Sequence, residues 1–148
     1  MKLFNNKYME LAILEAEKCL KETLYNQIPH EVPVGCVIVN NLTGEILAIT
    51  RNQMISLCDP TAHAEILAIR EACKKINNYR LDNTSIFITL EPCDMCIEAI
   101  RLARIENVYF GAYSNKTGTS HNINAIGGFY EKECREILNI FFQKKRDK

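Results

Sequence analysis

No run of ~18 apolar residues occurs in this sequence, so no segment reads as a membrane-spanning helix. There is no excess of charge either: 18 Lys and Arg residues balance 18 Asp and Glu residues, and the formal net charge is zero. A zero balance does not mark a nucleic-acid binder, although a local basic patch needs no net charge to work. No signal peptide is legible, because Glu10, Glu15 and Glu17 interrupt the opening stretch "MKLFNNKYMELAILEAEKC" where an apolar core would be required. Nothing like a linker, an internal repeat or a low-complexity tract divides the chain. The cysteines number seven. An odd count without an export signal fits free thiols in a reducing cytoplasm better than a disulfide framework.

What is present fits one domain over residues 1–148, long enough to bury a real core. The chain is 47% apolar and 24% charged, an ordinary globular mix. From about Tyr8 to Tyr25, the apolar residues Met9, Ala12, Ile13, Ala16, Leu20 and Leu24 form one helical stripe. "VGCVIV" reads as a strand buried on both faces. "NNLTG" is turn chemistry, and "EILAIT" returns as the second strand of a hairpin. "AHAEILAIREACKKI" reads as a helix, "SIFITL" as a strand, and "CDMCIEAIRLA" as a helix with Pro92 suited to its first turn. "NVYFGA" is a further strand, making a crossover unit with parallel strands. "GGFYEKECREILNIFFQKK" closes as a helix. The expected architecture is a central mixed sheet with helices on its faces.

The chemistry concentrates at two helix starts. Cys93 and Cys96 are three residues apart and share one helical face. At a helix N-terminus, the dipole and the unpaired backbone N–H groups favour both thiolates. His63 supplies a nitrogen from another helix start. Two sulfurs and one nitrogen suit tetrahedral zinc, and three protein ligands leave the open position of a catalytic site. Glu65 lies two residues beyond His63, a spacing that does not share a face in mid-helix. In a first turn, however, one residue can hold the metal while the other reaches its water and carries protons. Taken singly, a C-x-x-C pair or a lone histidine more often packs or lies on the surface. Together, H-A-E, then 26 residues, then P-C-x-x-C is the signature of zinc-dependent nucleobase deaminases. A purely structural zinc is the competing reading, and it has no use for Glu65. Cys19, Cys36, Cys58, Cys73 and Cys134 read as small buried hydrophobes. Cys58 as a fourth ligand would close the position that water needs. His30 and His121 have no partner pattern and read as surface residues.

Beyond this signature, "EVPVG", Arg51–Asn52, "DPTAHAEI", "NYRL", "TLEPCDMC", Arg104–Ile105, "FGA", "KTG", "KEC" and "FFQKKR" are spread over most of the chain. In these the sequence resembles the bacterial tRNA-specific adenosine deaminases of the cytidine deaminase-like superfamily. The resemblance implies a three-layer α/β/α fold with a mixed sheet of about five strands. It implies hydrolytic conversion of adenosine to inosine at the wobble position of a tRNA anticodon stem-loop. One Zn2+ per subunit would be held by His63, Cys93 and Cys96, with Glu65 as the proton shuttle. Asn52 falls where the family contacts the flipped-out nucleoside, and Val34 and Leu90 where it lines the base pocket. A homodimer in the cytoplasm is implied as well.

The sequence departs from the family after "KTG", where the family usually runs through an extra helix; here only "TS" separates Gly118 from "HNINAI". Ala112 to Ser120 is nine residues, whereas a parallel crossover usually needs a dozen or more. The fifth strand, expected at His121 to Ile126, is therefore antiparallel, short or absent. Ser114 stands where the family often has Asp. The tail leaves two readings open: Phe141 and Phe142 beside Lys144, Lys145 and Arg146 either stack bases and hold phosphates, or pack into the core and end a solvated helix. Two other functions compete with the tRNA reading. One is a guanine or cytosine deaminase using the same zinc site. The other is a non-catalytic RNA-binding or partner subunit that keeps zinc for stability.

Overall fold

The computed structural model describes residues 5–26, 31–114 and 123–147. In chain order it contains α1 (Asn6–Asn26), β1 (Gly35–Asn40), β2 (Ile46–Arg51), α2 (Ala64–Ile76), β3 (Thr84–Leu90), α3 (Asp94–Ala103), β4 (Asn107–Ala112), β5 (Ala125–Ile126) and α4 (Glu131–Arg146). The five strands form one sheet in the order β2-β1-β3-β4-β5. β1 is antiparallel to both β2 and β3, while β3–β4 and β4–β5 are parallel.

Strand alternation assigns the two faces. Cys36, Ile38, Ile86, Ile88, Val108 and Phe110 pack with Ala64, Ala68 and Ala72 of α2 and Ile100 and Ala103 of α3. Val37, Val39, Phe87 and Tyr109 pack instead with Met9 and Ala12 of α1 and Cys134 and Leu138 of α4. A period of two along each strand thus feeds two separate cores. That is why "VGCVIV" carries no polar face. α1 lies very close to β1: a Cβ on Gly35 would overlap the Ala12 backbone carbonyl. Gly35→Ala is therefore expected to destabilise the fold by about 1–3 kcal/mol through overpacking. An unchanged urea midpoint would contradict this close contact.

The element boundaries differ from the sequence expectation in three places. α3 begins at Asp94 with Cys93 as its N-cap, so Pro92 precedes the helix rather than sitting in its first turn. α4 begins only at Glu131, after Gly127 to Tyr130. β5 is two residues long and parallel to β4. It starts at Ala125 rather than His121, which lengthens its connection from Ala112 to the dozen residues that a parallel return requires. His30, His121 and "KTG" lie outside the described residues. No helix among the described residues is long and apolar enough to cross a membrane.

Candidate active site

The topology brings the two helix starts together. β2 and β3 both run antiparallel to β1, so they point the same way and their carboxyl ends lie on one edge of the sheet. α2 follows β2 and α3 follows β3. Both helices therefore begin at that edge, on either side of the entry to β1, the usual place for a site in an α/β sheet. His63 is the N-cap of α2 and Cys93 the N-cap of α3, both with extended backbone. Neither uses its side chain as a cap, so the imidazole and the thiol are free to face each other.

His63 Nδ1 lies 3.6 Å from Cys93 Sγ and 3.6 Å from Cys96 Sγ. The three ligand atoms lie within 4.8 Å of one another and form the group able to hold a metal ion among the described residues. A tetrahedral zinc with Zn–S of about 2.3 Å and Zn–N of about 2.0 Å sets S···N at about 3.5 Å. The donor set and its spacing therefore fit zinc. Cys58 is exposed and is not part of the group. It is not a buried hydrophobe either, and Cys73 is only partly buried, whereas Cys19, Cys36 and Cys134 are buried as expected.

The electrostatics of the group without metal favour the thiolate at Cys93 and, against the expectation that both would be favoured, the neutral thiol at Cys96. Hydrogen bonding from Cys96, then from His63, holds the Cys93 thiol down at about 3. Cys96 is shifted upward because it donates to Cys93 and because it is buried. Hydrogen bonding to Cys93 raises His63 against the opposing effect of burial. Glu65 is 4% exposed, and burial pushes its carboxyl up to about 7, with the His63 charge and a hydrogen bond from Cys96 acting the other way. A buried carboxyl beside a triad that can hold a metal, yet outside the ligand set, is placed where a proton carrier must be.

Two hydrogen bonds at Ala64 fix this turn to β2. The Ala64 N–H donates to Asn52 Oδ1 at 2.7 Å, and the Thr50 hydroxyl donates to the Ala64 carbonyl at 2.6 Å. Asn52 also donates from Nδ2 to the Val32 carbonyl at 3.0 Å. Its amide thus works first inside the protein and retains one N–H to offer.

A cavity of ≈ 470 Å³ opens over the group. Its lining includes His63, Glu65, Cys93, Asn52, Val34 and Leu90, so six of the seven site residues expected from the sequence meet there. The seventh, Cys96, is fully buried behind them. The sequence reading missed Val32, Met54, Glu91, Ser114, Arg135, Leu138 and Asn139, which also line it. Arg135, Leu138, Asn139 and Phe142 share one face of α4 by their spacing, a signal present in the sequence without any indication of what that face meets. The two readings of the tail divide between neighbours: Phe141 is buried against α1, while Phe142 is 41% exposed and lines the cavity. Arg135 donates to the Tyr113 carbonyl, and Glu91 accepts from the Ser114 N–H at 3.0 Å. Together these close the wall where β4 leaves the sheet.

Residues 4–112 match the family model described as the cytidine and deoxycytidylate deaminase zinc-binding region. The chain is 39% identical to the tRNA-specific adenosine deaminase of Haemophilus influenzae, over 97% of this chain and 86% of that protein. Among solved structures it is similar to a tRNA:A34 deaminase from work on A-to-I editing at the wobble position of transfer RNA. The TM-score is 0.79 at 35% identity, covering 90% of this chain and all of that one. It is also similar to a guanine deaminase of Bacillus subtilis, with a TM-score of 0.66 at 33% identity over 82% of this chain and 73% of that one.

Proposed function

The chain belongs to the tRNA-specific adenosine deaminases, within the cytidine and deoxycytidylate deaminase family, and from that premise we propose how its residues divide the reaction. The enzyme converts adenosine at the wobble position of tRNA to inosine, consuming one water and releasing one ammonia. His63, Cys93 and Cys96 would hold one zinc per chain. Zinc held there would supply Lewis acidity and bring the pKa of bound water to about 7. Glu65 carries the two protons of the attacking water in turn, the first to N1 of the purine and the second to the amine that departs as ammonia. Val34 and Leu90 wall the base as water adds to C6, and Asn52 offers its remaining N–H to the nucleoside. A base in a single-stranded loop reaches such a pocket at modest cost.

The observation that carries this reading is Glu65, buried beside the His63–Cys93–Cys96 triad and outside it. A structural zinc site or a non-catalytic subunit gives such a carboxyl nothing to do. The α4 wall favours a nucleotide over a free base. Arg135, Asn139 and Phe142 place a cation, an amide and an aromatic ring along the cavity, the groups that meet phosphate, base edge and base face. The same reading takes residues 1–148 as one deaminase domain, working in the cytoplasm as a homodimer.

The test is a side-by-side assay. Purified protein is offered an anticodon stem-loop with adenosine at the wobble position and, separately, free guanine and cytosine. Inosine in the RNA without ammonia from the free bases is the expected result. Ammonia from a free base with untouched RNA would keep the zinc chemistry and overturn the substrate.

A further inference from the structure

We propose that Glu31 is a positioning residue for the catalytic cavity, clamping the turn at residues 53–59 to the chain that enters β1. The proposal rests on the deaminase reading above. Glu31 is 5% exposed. Its Oε2 accepts three hydrogen bonds from that turn: from the Ile55 N–H at 2.9 Å, the Ser56 N–H at 2.8 Å and the Ser56 hydroxyl at 3.2 Å. Hydrogen bonds to a carboxylate are stronger than those between neutral groups. A buried carboxylate is also retained at a cost unless its bonds are made.

Both segments that Glu31 joins face the substrate space. Val32 and Val34, just after Glu31, line the cavity. Met54, beside the two donating amides, lines it as well. The turn also leads through Asp59 and Thr61 into His63, and Asp59 accepts from both the N–H and the hydroxyl of Thr61.

Burial does not hold the turn. Ile55 and Leu57 are more than half exposed, at 53% and 51%. Cys58 sits at φ 50, a left-handed conformation that a residue with a Cβ resists. Three short backbone bonds, from Leu57 to Gln53, Cys58 to Ile55 and Asp59 to Met54, fold the turn on itself. Only the bonds to Glu31, among the described residues, tie Ile55 and Ser56 to the interior.

The other oxygen, Oε1, is buried without a hydrogen-bond partner among the described residues. Glu31 also lines a polar cavity of ≈ 190 Å³ shared with Thr23, Arg51, Gln53 and Ser56. That is room for water at about 30 Å³ per molecule, so the second oxygen has solvation within reach. What the protein takes from Glu31 is therefore an acceptor aimed at the turn.

The experiment measures kcat, KM and zinc content of the full chain on the anticodon stem-loop, with Glu31→Leu and Glu31→Gln. Leu removes the acceptor. It should raise KM about tenfold while kcat stays within about threefold, because Met54 shapes binding more than the proton transfer does. Zinc content should hold, since Asn52 and Thr50 fix the start of α2 independently. Gln keeps an oxygen for the turn, and its KM should stay within about threefold of native. An unchanged KM in the Leu variant, or a Gln variant as impaired as Leu, would overturn the proposal. If the Leu variant loses zinc or does not fold, Ser56→Ala decides. It deletes one of the three bonds from the exposed side and should raise KM about two- to threefold, whereas an unchanged KM counts against the clamp. An inactive native protein would instead be a failure of the deaminase reading.

Discussion

Glu65→Ala is expected to retain zinc and lose ~10²–10⁴-fold in the rate of deamination, the usual worth of a positioned general acid–base group. Zinc is retained because the ligand atoms come from His63, Cys93 and Cys96, and the Glu65 carboxylate lies outside that set. The rate falls because no other buried carboxyl among the described residues takes its place. Glu91 lines the same cavity, but its Oε1 already accepts from the Ser114 backbone. Glu65→Gln separates loss of proton transfer from loss of packing, since it keeps the side-chain shape and removes only the acid–base function. Both variants should bind substrate with little change in KM and differ from the native protein in kcat. Elemental analysis beside single-turnover kinetics checks this. Substantial turnover in either variant would remove Glu65 from the proton-transfer role.

Cys93→Ala is expected to fail in a different way, losing metal, activity and stability together. Cys93 occupies the N-cap of α3, and its thiol is the group most strongly biased toward the charged form in the site, at about 3. Metal that binds only the folded state stabilises it by about 2.7 kcal/mol at a hundredfold excess over Kd. Losing it should lower Tm by about 5–10 °C in a chain of this size. Activity should fall to background, because two remaining ligands do not hold a catalytic zinc. Normal zinc content in this variant would exclude Cys93 as a ligand. The contrast with Glu65→Ala is diagnostic: one variant is an inactive holoprotein, the other an inactive apoprotein.

The parts of the site legible in the sequence are those whose chemistry dictates local spacing. Cys93 and Cys96 must share a helical face. His63 and Glu65 can cooperate only at a helix end, and the structure places His63 at the N-cap of α2. The two-faced sheet was legible for the same reason, since unbroken apolar strands need helices on both sides. The parts that were not legible depend on distance in the chain. Glu31 reaches Ser56 across 25 positions, and no periodicity announces a carboxylate bonding to a turn. The α4 stripe of Arg135, Leu138, Asn139 and Phe142 reads as an ordinary amphipathic helix until the sheet shows which cavity it covers. Asn52 was expected at the nucleoside, yet its amide first bonds Ala64 and Val32, a use that only the folded β2–α2 connection reveals. β5 turned on counting residues from a boundary that lay four positions further along, at Ala125 rather than His121.

The most direct test removes the metal and restores it while inosine is measured at the wobble position of the stem-loop. A zinc-dependent tRNA adenosine deaminase loses inosine formation on treatment with a chelator. It regains activity as zinc returns to about one ion per chain, the capacity of a single three-ligand site. Undiminished inosine formation in protein shown by elemental analysis to be free of metal would contradict the assignment of His63, Cys93 and Cys96 as the catalytic centre.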